Sequence, residues 1–221
     1  TAGPTREPID PVRYISNRSS GKMGYAMARA AIAQEAEVVL ISGPVNLPEP
    51  AGAEVRSVLS AQDMYEAAHH AMEDADIFIS AAAVADYRPA DIKEQKIKKN
   101  DESMSIDLVR CPDILASVAA LDAGPFTVGF AAETEKVDDY ARAKLEKKKL
   151  DMIIANRVGD DCGFDTDDNS VSVFWSDGER RFPTARKSEL ARNLIELVAQ
   201  RFYAARGTDT QPRLTIVSNI D

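Results

Sequence analysis

The 221-residue sequence predicts an α/β fold with a Rossmann-like, mostly parallel sheet that carries helices on both faces. Short apolar runs typical of buried strands alternate with helical patterns, and parallel strands need such helical crossovers. The length and a content of 44% hydrophobic residues suit one large globular domain with a sizeable core. We expect that domain to span residues 1–203 and a C-terminal tail to span residues 204–221.

Each predicted element follows from its local sequence. Residues 60–63 match a capping box and predict a helix that runs to about residue 74. Two further helices are predicted over residues 137–150 and 188–203. Apolar, partly β-branched runs predict strands at residues 38–42, 77–82, 126–132 and 152–155, with residues 1–3 as the end of a first strand.

Two segments predict an added antiparallel β segment. Residues 104–109 alternate apolar and polar side chains, while residues 171–175 and 180–182 flank a turn at residues 176–179, as in a hairpin. We expect such an addition to serve dimerisation or to cover a site. An ordinary edge of a mixed sheet is the alternative.

Composition excludes several functional classes. No apolar run approaches the ~20 residues of a membrane span, so we expect a soluble protein without a membrane partner. A formal net charge of −9 argues against nucleic acid and favours a small anionic ligand in a local basic pocket. Cys111, Cys162 and the adjacent His69 and His70 lack the spacing of a zinc site, so metal ligands stay unknown. The low cysteine content favours the cytoplasm, and the start at Thr1 predicts a piece of a longer chain.

The most informative motif is a polar loop that runs directly into a predicted helix at residues 13–24. It offers backbone N–H groups, hydroxyls and a lysine to an anion, and its glycines permit close approach of a phosphate. It is not a P-loop, because that motif requires glycine and a hydroxyl where Ser16 and Met23 stand. An ordinary Ser-capped helix start is the alternative. The predicted phosphate-binding loop consists of Ser19, Ser20, Gly21 and Lys22.

Charged residues gather in two more places. Asp86 follows a predicted strand among small residues and is a candidate ligand for ribose hydroxyls or a metal ion. The basic run after it places Lys96 and Lys98 on one face of an extended segment. On a predicted helix, Lys144 and Lys148 share a face because they are four residues apart. Together these lysines suit a triphosphate; a solvated loop and ordinary surface lysines are the alternatives.

Several of these motifs resemble one known family. Residues 1–24 resemble the opening of the phosphopantothenoylcysteine synthetase domain of the bacterial bifunctional coenzyme A enzyme, and this long motif is very specific. The resemblance covers nearly the whole chain and weakens after Tyr203. One departure is Cys111, where the family often has Asn; no histidine can be assigned as its base, so we expect no catalytic role. Further matching segments are residues 82–87, 96–98, 112–114, 129–134 and 151–156.

The resemblance implies a ligase of coenzyme A biosynthesis that joins 4'-phosphopantothenate to L-cysteine. CTP and Mg²⁺ would activate the carboxylate as an acyl-cytidylate with release of pyrophosphate, and the cysteine amine would then displace CMP. The implied catalytic residue is Asn17, whose amide would orient the intermediate or donate to the oxyanion in this second half-reaction. The implied CTP-binding residues are Ser80, Ala81, Ala82, Asp86, Lys96, Pro112, Asp113, Ile114, Leu115, Phe130, Lys144 and Lys148.

The same resemblance has implications for assembly. It implies a homodimer and, in the full protein, fusion to a flavin-dependent phosphopantothenoylcysteine decarboxylase domain. No flavin is expected in this chain.

Two other functions compete on the residues alone. A nicotinamide-dependent oxidoreductase would share the architecture, but no G-x-G-x-x-G occurs, and Gly43 and Pro44 stand where an acidic ribose ligand would be expected. A non-catalytic nucleotide-binding regulatory module is harder to separate by motifs.

Overall fold

The computed structural model describes residues 1–98, 103–158 and 166–207. No helix in these ranges combines the length and apolar character needed to cross a bilayer. The helices are α1 (Lys22–Ile32), α2 (Ala61–Ala71), α3 (Ile114–Ala119), α4 (Val137–Lys148) and α5 (Lys187–Ala205). The strands are β1 (Arg6–Pro8), β2 (Tyr14–Ser16), β3 (Val38–Ser42), β4 (Ala53–Ser57), β5 (Ile77–Ser80), β6 (Tyr87–Pro89), β7 (Leu108–Arg110), β8 (Phe126–Glu133), β9 (Met152–Arg157), β10 (Asp168–Trp175) and β11 (Gly178–Arg186).

The central sheet has the strand order β11-β10-β9-β8-β5. Strands β5, β8 and β9 are parallel, whereas β10 and β11 are antiparallel additions at one edge. A parallel pair, β3 and β4, is linked to this sheet through the start of the chain, because Ala2 bridges to Ser42 and Pro4 to Ala83. The predicted first strand is thus reduced to single bridges. The predicted α/β fold with a parallel-rich sheet is confirmed.

Helices cover both faces because the central strands present apolar side chains on both sides. On β9, Met152 and Ile154 pack with residues of α1 and α5, whereas Ile153 and Ala155 pack with residues of α2, α3 and α4. All four side chains are fully buried. A strand buried on both faces has a continuous run of apolar residues, and this run is what predicts β9 from the sequence.

The hairpin of β10 and β11 forms the edge of this sheet. Its strands join through a tight turn from Trp175 to Gly178, as predicted. Val173, Phe174 and Phe182 are buried inside the chain. Within one chain the segment is therefore a mixed-sheet edge, and its role in dimerisation stays a prediction.

Other predicted elements hold with shifted ends. The capping box is confirmed, since Asp63 N donates to Ser60 Oγ at 3.1 Å and Ser60 N donates to Asp63 Oδ2 at 2.9 Å; the helix ends earlier, at Ala71. The strand predicted at residues 104–109 is wrong in extent, because only Leu108–Arg110 pairs, antiparallel to β6. The last helix continues to Ala205.

The chain start and the loop after β3 approach each other backbone to backbone. Gly43 N donates to Ala2 O at 2.9 Å. A Cβ atom placed on Gly43 would lie 1.8 Å from the carbonyl oxygen of Pro4. Only glycine fits this position, and the contact closes the sheet edge beside the predicted phosphate-binding loop.

Candidate functional site

A pocket of about 440 Å³ opens where β5 and β8 end. Ligands of open α/β sheets bind at this carboxyl edge of the parallel strands. Four pieces of chain form its wall: the loop after β5, the end of β7 with the start of α3, β8, and α4. The lining residues are Ser80, Ala82, Val84, Ala85, Asp86, Tyr87, Arg110, Cys111, Pro112, Asp113, Ile114, Leu115, Phe130, Lys144 and Lys148.

Ten of the twelve residues that the resemblance implies for nucleotide binding line this pocket. The exceptions are Ala81, which lies between two lining residues, and Lys96, which lies on a separate segment. Sequence reasoning missed Tyr87 and Arg110 as wall residues. They reach the pocket because β6 pairs with β7, which places Tyr87 opposite Arg110. A three-residue pairing between distant strands leaves no local signal.

Lys148 and Asp113 form an ion pair in the pocket wall. Lys148 Nζ lies 2.8 Å from Asp113 Oδ1 and 2.7 Å from Oδ2. Asp113 also caps α3, because its Oδ1 accepts from Ala116 N at 3.0 Å. Partial burial opposes ionisation of Asp113, but the Lys148 ammonium and the Ala116 N–H outweigh burial and lower the pKa of this carboxyl. Asp113 is therefore a fixed anion that neutralises Lys148.

Lys144 lies one helical turn before Lys148 and is more deeply placed. Its Nζ donates to Phe130 O at 3.2 Å. Burial lowers the pKa of the Lys144 ammonium, and repulsion from Lys148 adds to this shift. An anionic ligand beside Lys144 would restore part of the lost solvation energy, so this lysine is suited to contact phosphate.

Asn17 follows β2 directly and contacts the loop that lines the pocket. Its Nδ2 donates to Val84 O at 3.0 Å and to Ala83 O at 3.4 Å. The amide hydrogens thus face the loop main chain, which leaves Oδ1 to an approaching ligand. The side chain is exposed. The structure gives Asn17 a tethering contact, and its role in catalysis stays a prediction.

The segment that carries Lys96 is held at the tip of the β1–β2 hairpin. Asp10 Oδ2 accepts from Ile97 N at 3.1 Å and from Arg13 Nη2 at 2.6 Å, while Arg13 Nη2 also donates to Ile97 O at 3.2 Å. The Asp10 carboxylate has no exposed surface, and the Arg13 guanidinium holds its pKa well below the usual range. Lys96 and Lys98 are exposed on either side of the held peptide.

The predicted phosphate-binding loop lies at the start of α1. Gly21 occupies the N-cap position with φ 73°, and no side chain caps the helix, so the Ser-capped alternative is wrong. Ser19 Oγ instead accepts from Gly21 N at 3.3 Å. Lys22 Nζ donates to Asp167 Oδ1 at 2.8 Å and lines a different cavity of about 650 Å³. Ser20 and its neighbours therefore do not line the first pocket, and phosphate binding by this loop stays a prediction.

Comparison with known proteins decides the family. Residues 1–202 match the family model described as DNA/pantothenate metabolism flavoprotein C-terminal domain. The chain belongs to this family. The family resemblance of the opening motif is thereby confirmed.

Relatives and solved structures of this family agree. The chain is 55% identical over 202 residues to the Coenzyme A biosynthesis bifunctional protein CoaBC of Vibrio vulnificus strain CMCP6, with 90% of this chain and 50% of the relative covered. Identity is 48% over 207 residues to the CoaBC protein of Escherichia coli strain K12, with 91% and 51% covered. The chain thus spans about half the length of these curated relatives. A crystal structure of the C-terminal domain of CoaBC superposes with a TM-score of 0.78 at 40% identity, covering 92% of this chain and 93% of that chain.

Cys111 stands where the resemblance led us to expect an asparagine. Burial raises the pKa of the Cys111 thiol to about 11, and the nearby Glu7 carboxylate contributes to the shift. A thiol with this pKa is almost fully protonated at neutral pH and is a poor nucleophile. The main-chain N–H of Cys111 donates to Asp86 O at 2.9 Å. The expectation of a non-catalytic Cys111 agrees with this environment.

Proposed function

We propose that this chain is the CTP-dependent ligase domain that joins 4'-phosphopantothenate to L-cysteine through an acyl-cytidylate. The observation that carries the proposal is the pocket at the ends of β5 and β8, lined by ten of the twelve implied nucleotide-binding residues. Membership of the flavoprotein C-terminal domain family supports it. The oxidoreductase alternative is less well supported, because Gly43 and Pro44 follow β3, where a nicotinamide-dependent enzyme would carry an acidic ribose ligand.

The proposed chemistry needs positioning and charge more than acid–base groups. Lys144 and Lys148 would neutralise the phosphates of CTP while the substrate carboxylate attacks the α-phosphate and pyrophosphate leaves. Lys148 would exchange its Asp113 partner for a phosphate oxygen, and the Ala116 N–H would keep Asp113 in place. The cysteine amine then attacks the activated carbonyl, expelling CMP, beside Asn17. Main-chain carbonyl groups of the pocket would accept from the cytosine amino group at position 4, and Lys96, as a donor, would contact the ring acceptors O2 or N3.

Mg²⁺ would bind at this site together with the phosphates of the nucleotide. Among the described residues, no group of three or more His, Cys, Asp or Glu side chains is arranged to hold a metal ion. Mg²⁺ needs no such group, since it is commonly bound by one or two carboxylates together with substrate phosphates. Asp86 and Asp113 are the carboxylates of the wall and would hold it. When bound, the ion would neutralise phosphate charge.

We also propose a homodimer formed through the β1–β2 hairpin and the antiparallel pair β6–β7. Apolar side chains exposed on these strands include Tyr14, Tyr87, Leu108 and Val109. Because Tyr87 also lines the pocket, a second copy on this face would lie next to the site. A charged residue in place of Val109 should give monomers in sedimentation together with reduced activity. Monomers with full activity would contradict a shared site.

Further partners follow from the length of the relatives. Because the chain spans about half of each bifunctional protein, we propose that the full-length protein adds a flavin-dependent decarboxylase domain, which would hold the flavin. We place the reaction in the cytoplasm, where the free Cys111 would stay reduced.

One assay separates the candidate functions. Pyrophosphate release should require CTP, Mg²⁺ and 4'-phosphopantothenate together, and cysteine should then convert the product to the amide. CTP binding without any turnover would favour the regulatory module. Turnover of NAD(P)H in place of pyrophosphate release would favour the oxidoreductase.

A further inference from the structure

Three cations line the pocket, and two of them are already engaged. Lys148 is paired with Asp113, and Lys144 donates to Phe130 O and carries a lowered pKa because of its burial. The wall contains three cationic side chains and two carboxylates, so it carries one excess positive charge. The third cation is Arg110.

Arg110 differs from both lysines in its surroundings. It is the last residue of β7, exposed at the rim of the pocket and opposite Tyr87 on β6. Within the described parts of the chain, its guanidinium has no ion pair, hydrogen bond or aromatic partner. The next residue anchors the strand end, because Cys111 N donates to Asp86 O at 2.9 Å. A fixed main chain therefore presents an uncommitted guanidinium to the pocket.

We propose that Arg110 binds phosphate oxygens of the nucleotide; this assignment rests on the proposed function. A guanidinium matches a phosphate with two parallel N–H donors, which a lysine cannot do. Lys148 must leave Asp113 to reach a ligand, whereas Arg110 has no ion pair to break. The wall is otherwise close to charge balance, so Arg110 supplies the net attraction for a polyanion.

The test compares CTP binding by calorimetry in the presence of Mg²⁺ for the wild type and two variants. Arg110→Gln should weaken CTP binding about 10- to 100-fold, the range for a lost charge-assisted contact. Arg110→Lys should lose less, because it keeps the charge but not the paired donors. Arg192→Gln is the matched control: Arg192 is an exposed arginine of α5, also without an ion pair among the described residues, and its loss should leave binding unchanged.

Further ligands identify which anion Arg110 contacts. Titration with CMP, inorganic pyrophosphate and 4'-phosphopantothenate should show the loss with CTP and with one of the first two probes. A loss confined to 4'-phosphopantothenate would overturn the nucleotide assignment, as would unchanged CTP binding by Arg110→Gln. If the wild type itself fails to bind CTP, the proposed function fails with it. Thermal melts of each variant should match the wild type because the side chain is exposed.

Discussion

The pocket and the β1–β2 hairpin beside it hold their charged residues by different means. In the pocket, Lys144 and Lys148 project from α4, whose position depends on its own main-chain bonds and on a buried apolar face. At the hairpin, Asp10 and Asn17 are themselves the structural contacts, since each bonds the main chain of a distant segment. Removing a pocket lysine should therefore change charge and one nearby contact, to Phe130 O or to Asp113, without moving α4. A change at the hairpin instead releases a distant segment of main chain.

The largest effect should come from the hairpin side. Asn17→Asp exchanges the amide, whose Nδ2 donates to Val84 O and Ala83 O, for a carboxylate beside the proposed place of cysteine addition. The added charge repels a developing oxyanion, so cysteine addition should slow by at least ~10²-fold. The side chain is exposed and can turn its charge to water, so the first half-reaction should survive. Acyl-cytidylate should then accumulate and be detected by mass after quenching a reaction with CTP, Mg²⁺ and 4'-phosphopantothenate.

An uncharged variant provides the control for Asn17. Asn17→Ala removes the bonds to Ala83 and Val84 without adding charge. If both variants lose CTP binding and both half-reactions together, Asn17 serves only to tether the pocket loop, and its role in cysteine addition is excluded.

The next effect compares lysines from the two regions. Lys144→Gln and Lys96→Gln should each remove a contact of about 1.5–3 kcal/mol and slow the first half-reaction by roughly one to two decades. Lys98→Gln, which makes the same charge change next to the held peptide, is the control. Steady-state kinetics with varied CTP measures all three. An unaltered CTP dependence in Lys96→Gln would show that its segment is merely solvated.

A smaller effect tests how firmly Asp10 anchors the segment that carries Lys96. Asp10→Asn should weaken the acceptor for Ile97 N and Arg13, so trypsin should cleave after Lys96 and Lys98 roughly tenfold faster, in proportion to the lost charged hydrogen bond. Mass spectrometry of timed digests gives the rate. Asp91→Asn is the matched control, because among the residues described by the structure its carboxylate pairs only with exposed Lys93. Equal cleavage of both variants would contradict the anchoring role of Asp10.

The smallest effect is a dependence of CTP affinity on pH. Burial and Lys148 lower the pKa of Lys144 in the free protein, and a bound triphosphate would raise it again. Affinity should be constant below the free-state pKa and should fall severalfold as the pH rises through it, since binding then requires uptake of a proton. Calorimetry between neutral and alkaline pH measures the slope. A slope that persists in Lys144→Gln would assign the proton to another group.

Regular elements were predictable because their determinants are local. The continuous apolar run of β9, the capping box at Ser60 and the four-residue spacing of Lys144 and Lys148 all lie within one element. The ends of β5 and β8 then place the pocket, since ligands bind where parallel strands end. The α/β architecture and most of the pocket wall could therefore be predicted from sequence patterns and family resemblance together.

The remaining parts depend on contacts between distant residues. Lys96 lies outside the pocket wall because Arg13 and Asp10 hold Ile97 across 84 and 87 residues of chain, respectively. Arg110 is placed at the pocket by the pairing of β7 with β6 and by the bond from Cys111 N to Asp86 O. Contacts between segments so far apart in the sequence have no periodicity, so a pattern search cannot reveal them. The shortened strand at β7 has the same cause, because pairing with a three-residue partner limits its length.

The close approach at Gly43 determines how mutational scans of this protein are to be interpreted. A methyl group there would collide with the Pro4 carbonyl, so even alanine forces the chain start away from β3. Loss of activity in such a variant reports a displaced backbone and carries no information about ligand contact. Neighbouring Ser42 is also buried, but its hydroxyl bonds Tyr25 and Gly43 O, so a substitution there is limited by side-chain volume and lost hydrogen bonds. Adjacent positions thus differ in kind: Gly43 admits no side chain at all, whereas Ser42 admits a small one.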